Sequence, residues 1–373
     1  MRILTLQARI VMLVDLDYFY AQCEEKRNPS LKGKPVVVCV YSGRTEGSGA
    51  VSTANYIARK YGVKSGIPIS LAKKKLKDTD AVFLPVDHTF YRDISEKIMD
   101  ILRSYADQFE QVGVDEAYLD VTKRIEGSYE AAKKLAAKIK VDVWNQQKLT
   151  CSIGVGQNKL VAKIAADIRK PDGLTVIEPG GIGHILYPLP VNRLIGVGKK
   201  TEKKLESLRI RTIGDLSRFD VQKLMEVFGR NLGTYLHKAS IGIDDDPLRE
   251  REVESLSRIS TLKENTRDLE VILEEADKLS DQVHTKLTLR ELQFRSVSIL
   301  VVATDLTIHS RSKTFESSTK DLQILKKTVG QLFARFLSDS DIEARRIGVK
   351  VANLEKEEDK QKRLTSFFEP SND

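Results

Sequence analysis

Asp115 and Glu116 stand side by side within Gln-Val-Gly-Val-Asp-Glu-Ala-Tyr-Leu-Asp-Val, residues 111–121, a stretch whose apolar content predicts a buried strand. Carboxylates in apolar surroundings must be neutralised, and a divalent metal is the usual means. A second acid ends another apolar run, Ile10 to Val14, at Asp15, Leu16 and Asp17, followed by Tyr18, Phe19 and Tyr20. An isolated Asp-Glu doublet is ordinarily a solvated turn. Two strand-like runs that both end in acid favour the other reading: neighbouring strands would bring Asp15, Asp115 and Glu116 to one place. That geometry suits a pair of Mg²⁺ ions engaged in phosphoryl transfer.

Other residues are suited to phosphate. Tyr56 and Arg59 lie i, i+3 on a predicted helix running from Thr53 to Tyr61, a phenol beside a planar fork of donors, although a solvated helix face has the same pattern. Lys170 precedes Pro171 in a turn after the helix predicted from Asn158 to Ile168. In Leu194-Ile195-Gly196-Val197-Gly198-Lys199-Lys200, the small residues Gly196 and Gly198 let backbone amides approach a DNA phosphate, with Lys199 and Lys200 alongside. Neither this turn nor Gly154-Val155-Gly156 completes a dinucleotide fingerprint or a Walker loop.

Composition bounds the partners. The 373 residues suffice for two to four domains, and the formal net charge of +8 favours an acidic partner, nucleic acid before membrane. Apolar runs fall far short of a membrane span and no secretory leader is evident, so a cytoplasmic protein is expected. Cys23, Cys39 and Cys151 read as reduced core residues, and the five histidines show no metal-ligand spacing.

The elements that must position these groups follow from periodicity. Residues 1–175 alternate strands near 9–15, 108–121, 150–155 and 174–177 with helices near 89–106 and 129–147, an α/β layer. Residues 176–242 are helical and basic, with 11 Lys or Arg against 6 Asp or Glu. An exposed linker is expected at 243–252, then an α+β domain over 253–353. Its cations, Arg311 and Arg346 among them, cluster on strands, so one sheet face is expected to follow a nucleic-acid backbone. A charged tail, 354–373, ends in Gln361-Lys362-Arg363-Leu364-Thr365-Ser366-Phe367-Phe368, whose paired aromatics call for a partner pocket.

Together, Asp15-Leu16-Asp17-Tyr18-Phe19-Tyr20-Ala21, Val51-Ser52-Thr53-Ala54-Asn55-Tyr56 with Arg59, Val114-Asp115-Glu116-Ala117-Tyr118-Leu119-Asp120, and Asn158-Lys159 through Lys170-Pro171 resemble the Y-family translesion DNA polymerases, DNA polymerase IV branch, archaeal type. The resemblance implies a multidomain right-hand polymerase: palm (1–18 and 86–175), fingers (19–85), helix-hairpin-helix thumb (176–242), linker (243–252), little finger (253–353) and tail. It implies Asp15, Asp115, Glu116 and the Leu16 carbonyl as ligands of two Mg²⁺ ions. Tyr56, Arg59, Lys170 and Phe19 would hold the incoming dNTP, with Tyr20 as steric gate against a ribose 2′-hydroxyl. Val51 and Ser52 would form a loose roof, and Asp17 is not expected to ligate metal. Gln361, Leu364, Phe367 and Phe368 resemble a sliding-clamp box. The implied enzyme is a low-fidelity polymerase without proofreading, acting as a monomer on primer-template DNA. Gly113, where Ser is common, and residues 1–8, beyond the usual start, depart from the pattern. A palm-fold nucleotide cyclase would leave thumb, little finger and clamp box unexplained, and a clamp-recruited DNA-binding scaffold would not need all three acids.

Overall fold

The computed structural model describes residues 9–45, 47–250 and 252–356. The chain forms two compact units, one comprising residues up to Val40 with Ala50–Arg251, the other Tyr41–Gly49 with the residues from Glu252 onward.

The first unit begins with β1 (Val11–Leu16), whose residues are buried on both faces, and α1 (Phe19–Arg27). β2 (Val36–Tyr41), β3 (Gly49–Ala54), α2 (Tyr56–Lys60), α3 (Ile69–Lys75) and β4 (Val82–Pro85) follow, with the strands in the order β3-β2-β4. The helix predicted to begin at Thr53 starts instead at Tyr56. Thr53 and Ala54 complete β3, and the Asn55 side chain caps α2 by accepting the Ala58 amide at 3.0 Å.

Next come α4 (His88–Ser104), β5 (Gln108–Gln111), β6 (Glu116–Asp120), α5 (Tyr129–Gln147), β7 (Cys151–Gly156), α6 (Lys159–Ile168) and β8 (Leu174–Val176). Caps explain the boundaries: Asp87, Ser128 and Asn158 each accept an amide from the first turn of α4, α5 and α6. The five strands order as β5-β6-β1-β7-β8. Alternation along β1 separates its faces: Met12, Val14 and Leu16 join the core containing residues of α4 and α5, whereas Val11 and Leu13 join Ala162 and Ala166 of α6. Gly154 and Gly156 serve this second layer. A Cβ on Gly154 would come within 2.1 Å of the Ala162 carbonyl oxygen, so α6 lies on β7 at backbone contact.

The stretch expected to be one strand over 108–121 is a hairpin. β5 and β6 pair antiparallel, and Val112–Asp115 makes the turn, with the amides of Val112 and Gly113 donating to the Glu116 carbonyl at 3.1 and 3.2 Å. The chain has to reverse here because β6 is needed between β5 and β1.

The unit continues through α7 (Ile182–Leu186), α8 (Lys199–Ser207), α9 (Ile213–Ser217), α10 (Val221–Phe228) and α11 (Arg230–Ser240), which share a core with α6. The segment after α11 is exposed at most of its described positions, as expected of a linker, but it is anchored at two points. Leu248 is 7% exposed against Val11 and Leu13, and Lys159 bonds Glu110, Asp246 and the Pro247 carbonyl. A single apolar residue and a run of acids thus fasten the first part of this segment to the sheet.

The second unit contains β9 (Ser255–Thr266), α12 (Leu269–Leu289), β10 (Leu292–Ala303), β11 (Ile308–Thr319), α13 (Leu322–Asp339) and β12 (Ala344–Lys356). Its sheet orders as β11-β10-β12-β9, with α12 and α13 packed on one face over Val297, Ile299, Val301, Ile347, Val349 and Val351. Among the described residues, no helix is long and apolar enough to cross a membrane.

Candidate active site

Strand pairing joins the two acidic motifs. Asp15 at the end of β1 is the register partner of Glu116 at the start of β6, and the Leu16 amide donates to the Asp115 carbonyl at 2.8 Å. Because paired residues of antiparallel strands share a face, Asp15 and Glu116 both point toward α6. There Lys163 bonds Glu116 and lies 3.4 Å from Asp15, and Lys170 lies 2.6 Å from Asp15 and 2.9 Å from Asp167. Burial works against the Lys170 ammonium, but Asp15 and Asp167 outweigh it and its pKa is raised. Among the described residues, Asp115 has no ion pair comparable with these. Burial first, then the charges of Asp15 and Glu116, push its carboxyl above the usual carboxylate range.

Among the described residues, no group of three or more His, Cys, Asp or Glu forms a ready cage for a metal. The donor set nevertheless fits one. Three carboxylates meet at one end of two strands, and burial and like-charge repulsion disfavour the ionised form of Asp115, a penalty that an added cation relieves. The ammonium groups of Lys163 and Lys170 occupy the lone pairs that a cation would take on Asp15 and Glu116.

Gly113 has an explanation in the hairpin. A Cβ there would approach Asp115 Oδ1 to 3.1 Å, closer than ordinary contact, so glycine leaves the carboxylate room at the turn. The turn is also held by Ser95, whose hydroxyl donates to the Val114 carbonyl at 2.5 Å.

Asp17 is engaged in hydrogen bonds within the fold. It is 1% exposed and accepts from Ser152 Oγ at 2.8 Å, Thr150 Oγ1 at 2.9 Å and the Asp172 amide at 2.8 Å. Asp17→Ala leaves these buried donors unpaired and is expected to destabilise the fold by about 3 kcal/mol, read as a lowered thermal midpoint. An unchanged midpoint would contradict this role.

The candidate nucleotide contacts gather around α1 and α2. Tyr20 is half-buried and stacks on Tyr91, with ring centroids 4.3 Å apart and planes at 18°. Its phenol is shifted upward by burial and then by the charge of Asp115, which places the two residues near one another. Tyr56 meets the Tyr18 ring edge-on at 5.5 Å, and the Arg59 guanidinium lies 4.7 Å from the Tyr56 ring centroid. The Tyr56 phenol is shifted upward by burial and then by the charge of Asp17, with Arg59 and Lys170 acting in the opposite direction.

Burial restricts two of the expected contacts. Phe19 is only 2% exposed and its ring belongs to the core beneath β1, which leaves its main chain as the part through which a nucleotide contact would run. Val51 likewise points into the small core of α2 and α3, because strand alternation turns it away from the surface, which leaves Ser52 as the more accessible of the pair.

In the helical part of the first unit, Gly196 has φ +82°, a left-handed conformation suited to glycine, and Gly198 precedes α8. Lys199 and Lys200 are exposed in its first turn. In the second unit, the cations do not share one sheet face as expected. Arg311 pairs with Ile299, which faces the helices, and its guanidinium lies 5.5 Å from the Phe336 ring centroid. Arg346 pairs with Val302 and Thr261 on the opposite, open face, which Lys350 shares with Ser298. Residue type alone cannot separate them, since one step along a strand reverses the face. Gln361, Leu364, Phe367 and Phe368 lie outside the described residues.

Lys163 was not foreseen, although a signal existed: Lys159, Lys163 and Asp167 recur at i+4 along the otherwise apolar α6. The buried acids Glu24 and Glu25 were also missed, and no period marks them.

Comparison with known proteins fits this arrangement. The model of the impB/mucB/samB family matches residues 14–167, that of its C-terminal domain residues 253–364, and that of the DNA polymerase-iota thumb domain residues 192–244. The DNA polymerase IV of Nitrosopumilus maritimus is 48% identical over 97% of this chain and 100% of its own length. The chain belongs to the Y family of DNA polymerases, in the DNA polymerase IV branch. DNA polymerase IV of Saccharolobus solfataricus is 40% identical over 92% of this chain and 96% of its own. Among solved structures, a Y-family DNA polymerase chimera of Dbh and Dpo4 superposes with a TM-score of 0.88 at 38% identity, covering 93% of this chain and 99% of that one. An insertion ternary complex of Dbh DNA polymerase superposes at 0.69 with 37% identity over 93% of this chain and 99% of that one. Membership of this branch implies a divalent-metal-dependent polymerase.

Proposed function

We propose that this chain is a template-directed DNA polymerase of low fidelity that inserts deoxynucleotides opposite damaged template bases. The register pairing of Asp15 with Glu116, with Asp115 at the turn beside them, is the observation that carries the reading. Asp15, Asp115, Glu116 and the Leu16 carbonyl would hold two Mg²⁺ ions, which would supply the positive charge that favours ionisation of the primer 3′-hydroxyl and neutralises the leaving pyrophosphate.

The remaining work falls to side chains. Arg59 and Tyr56 engage the triphosphate, Arg59 through its fork of donors and Tyr56 through its hydroxyl. Lys170 exchanges its contact with Asp15 for a phosphate oxygen. Tyr20 stands where a 2′-hydroxyl would be, held by its stack on Tyr91. Gly196, Gly198, Lys199 and Lys200 contact backbone phosphates of primer-template DNA without reading sequence, and so do Arg346 and Arg311 from their separate faces. The enzyme acts as a monomer.

Primer extension with Mg²⁺ and dNTPs on intact and abasic templates tests the reading. Template-directed products on both are expected. Absence of any product would overturn it, and a cyclic nucleotide product would point to a cyclase instead.

Gln361, Leu364, Phe367 and Phe368 dock on a sliding clamp, the paired aromatics filling an apolar pocket. Replacing Phe367 and Phe368 by Ala is expected to leave distributive synthesis intact and to remove stimulation by the clamp. Equal stimulation of the variant would locate the clamp contact elsewhere.

A further inference from the structure

Helix α1 carries two consecutive buried glutamates that the chemistry above does not use. Glu24 is 3% exposed and Glu25 9%, and carboxylates so enclosed persist only where donors satisfy them. Their donors differ. Glu24 accepts from the Tyr91 hydroxyl at 2.6 Å and from the Arg27 guanidinium at 2.5 and 3.1 Å. Glu25 accepts from the Tyr18 hydroxyl at 3.1 Å and from Asn55 Nδ2 at 2.8 Å.

Three of these donors support the two proposed nucleotide contacts, Tyr91 one of them and Tyr18 with Asn55 the other. Tyr91, itself 1% exposed, is the surface on which Tyr20 stacks. Tyr18 sets its ring edge against Tyr56, and Asn55 caps the short helix that carries Tyr56 and Arg59 while also accepting the Val36 amide at 3.1 Å. Tyr18 has φ +37°, a left-handed conformation that a tyrosine keeps only where its surroundings hold it, and the bond to Glu25 is one such hold. Successive residues of an α-helix point about 100° apart, so adjacent glutamates on one helix reach two separate walls of a site.

We propose that Glu24 and Glu25 are two independent positioning residues, Glu24 aligning the sugar gate Tyr20 through Tyr91, and Glu25 aligning the triphosphate pair Tyr56 and Arg59 through Tyr18 and Asn55. The inference rests on the roles given to Tyr20, Tyr56 and Arg59 above.

Single-nucleotide insertion by the full chain, with each dNTP and its matching rNTP, tests it. Glu24→Gln and Tyr91→Phe are expected to weaken discrimination against ribonucleotides roughly tenfold, the scale of one lost hydrogen bond to an ionised group, with KM for dNTP within about twofold. Glu25→Gln and Tyr18→Phe are expected to raise KM for dNTP by a similar factor while sugar discrimination and kcat hold. The double variant Glu25→Gln/Tyr18→Phe is expected to match Glu25→Gln alone, because the Tyr18 hydroxyl donates to Glu25. If a glutamate variant does not fold, the two Tyr→Phe variants, which lose a single oxygen, decide the matter alone.

A merely structural role moves sugar discrimination, KM, thermal midpoint and DNA affinity together in both pairs, and that result overturns the inference, as does no change in either pair. Tyr20→Ala and Arg59→Ala run alongside. If these two leave discrimination and KM unaltered, the site assignment fails and takes the inference with it. If they shift while the glutamate and Tyr→Phe variants do not, only the inference falls.

Discussion

Asp115→Asn and Glu116→Gln are expected to abolish primer extension in a chain that is folded and at least as stable as the parent. A metal ion at a reacting phosphoryl group contributes several kcal/mol of transition-state stabilisation, so losing a ligand is expected to slow insertion by roughly 10³-fold or more. Stability runs the other way. The Asp115 carboxyl is raised by burial and by the neighbouring acids, so its ionised form is disfavoured in the fold. A group raised in this way contributes stability at low pH that is lost as pH rises through its folded pKa. Wherever Asp115 is ionised, a neutral Asn removes the repulsion without removing the shape. The thermal midpoint of Asp115→Asn is therefore expected to equal or exceed that of the parent, with the difference shrinking as the solution is acidified. Added Mg²⁺ is expected to raise the midpoint of the parent and to have little effect on either variant. Retained extension, or an undiminished Mg²⁺ response in both variants, would remove these residues from the metal site.

The second large effect is on sugar choice. Tyr20→Ala deletes the ring that Tyr91 holds in a stack, and in the proposed gate role this would open space beside the nucleotide ribose. Exclusion by bulk is lost when the bulk is lost, so discrimination between dNTP and rNTP is expected to fall by roughly 10²-fold. Tyr20→Phe keeps the ring and is expected to keep the discrimination, because the stack, not the phenol, does the excluding. The comparison is made by steady-state insertion of each pair of nucleotides. Unchanged selectivity in Tyr20→Ala would assign the gate to another residue.

Much of this site can be read along the chain because the signals are local. The abrupt end of the apolar run at Asp15 marks the end of β1, and the apolar period from Asn158 to Ile168 marks α6. The periodicity of 129–147 and 269–289 suffices for α5 and α12 at their full lengths. Where interactions act over distance the reading fails in identifiable ways. Residues 108–121 have the apolar content of a single strand, and only the demand for an antiparallel neighbour to β1 folds them into a hairpin with Asp115 at its turn. Acids at 244–246 look like solvated linker, yet Lys159 and the pocket for Leu248 hold that segment down. Arg311 and Arg346 look like one basic surface until register assigns them to opposite faces.

The identities and spacings of Asp15, Asp115, Glu116, Tyr20, Tyr56, Arg59 and Lys170 are properties of the sequence, and so is the chemistry their side chains are able to perform. Their convergence is decided by tertiary structure. Pairing of Asp15 with Glu116 depends on β6 lying beside β1, and the approach of Lys163 depends on Gly154 admitting α6 to backbone contact with β7. The support of Tyr20 and Tyr56 depends on Tyr91 and Asn55 meeting α1 from distant parts of the chain. Periodicity acts within a few residues and is therefore visible in sequence. Strand register, close packing and the satisfaction of buried carboxylates are set only when remote segments meet.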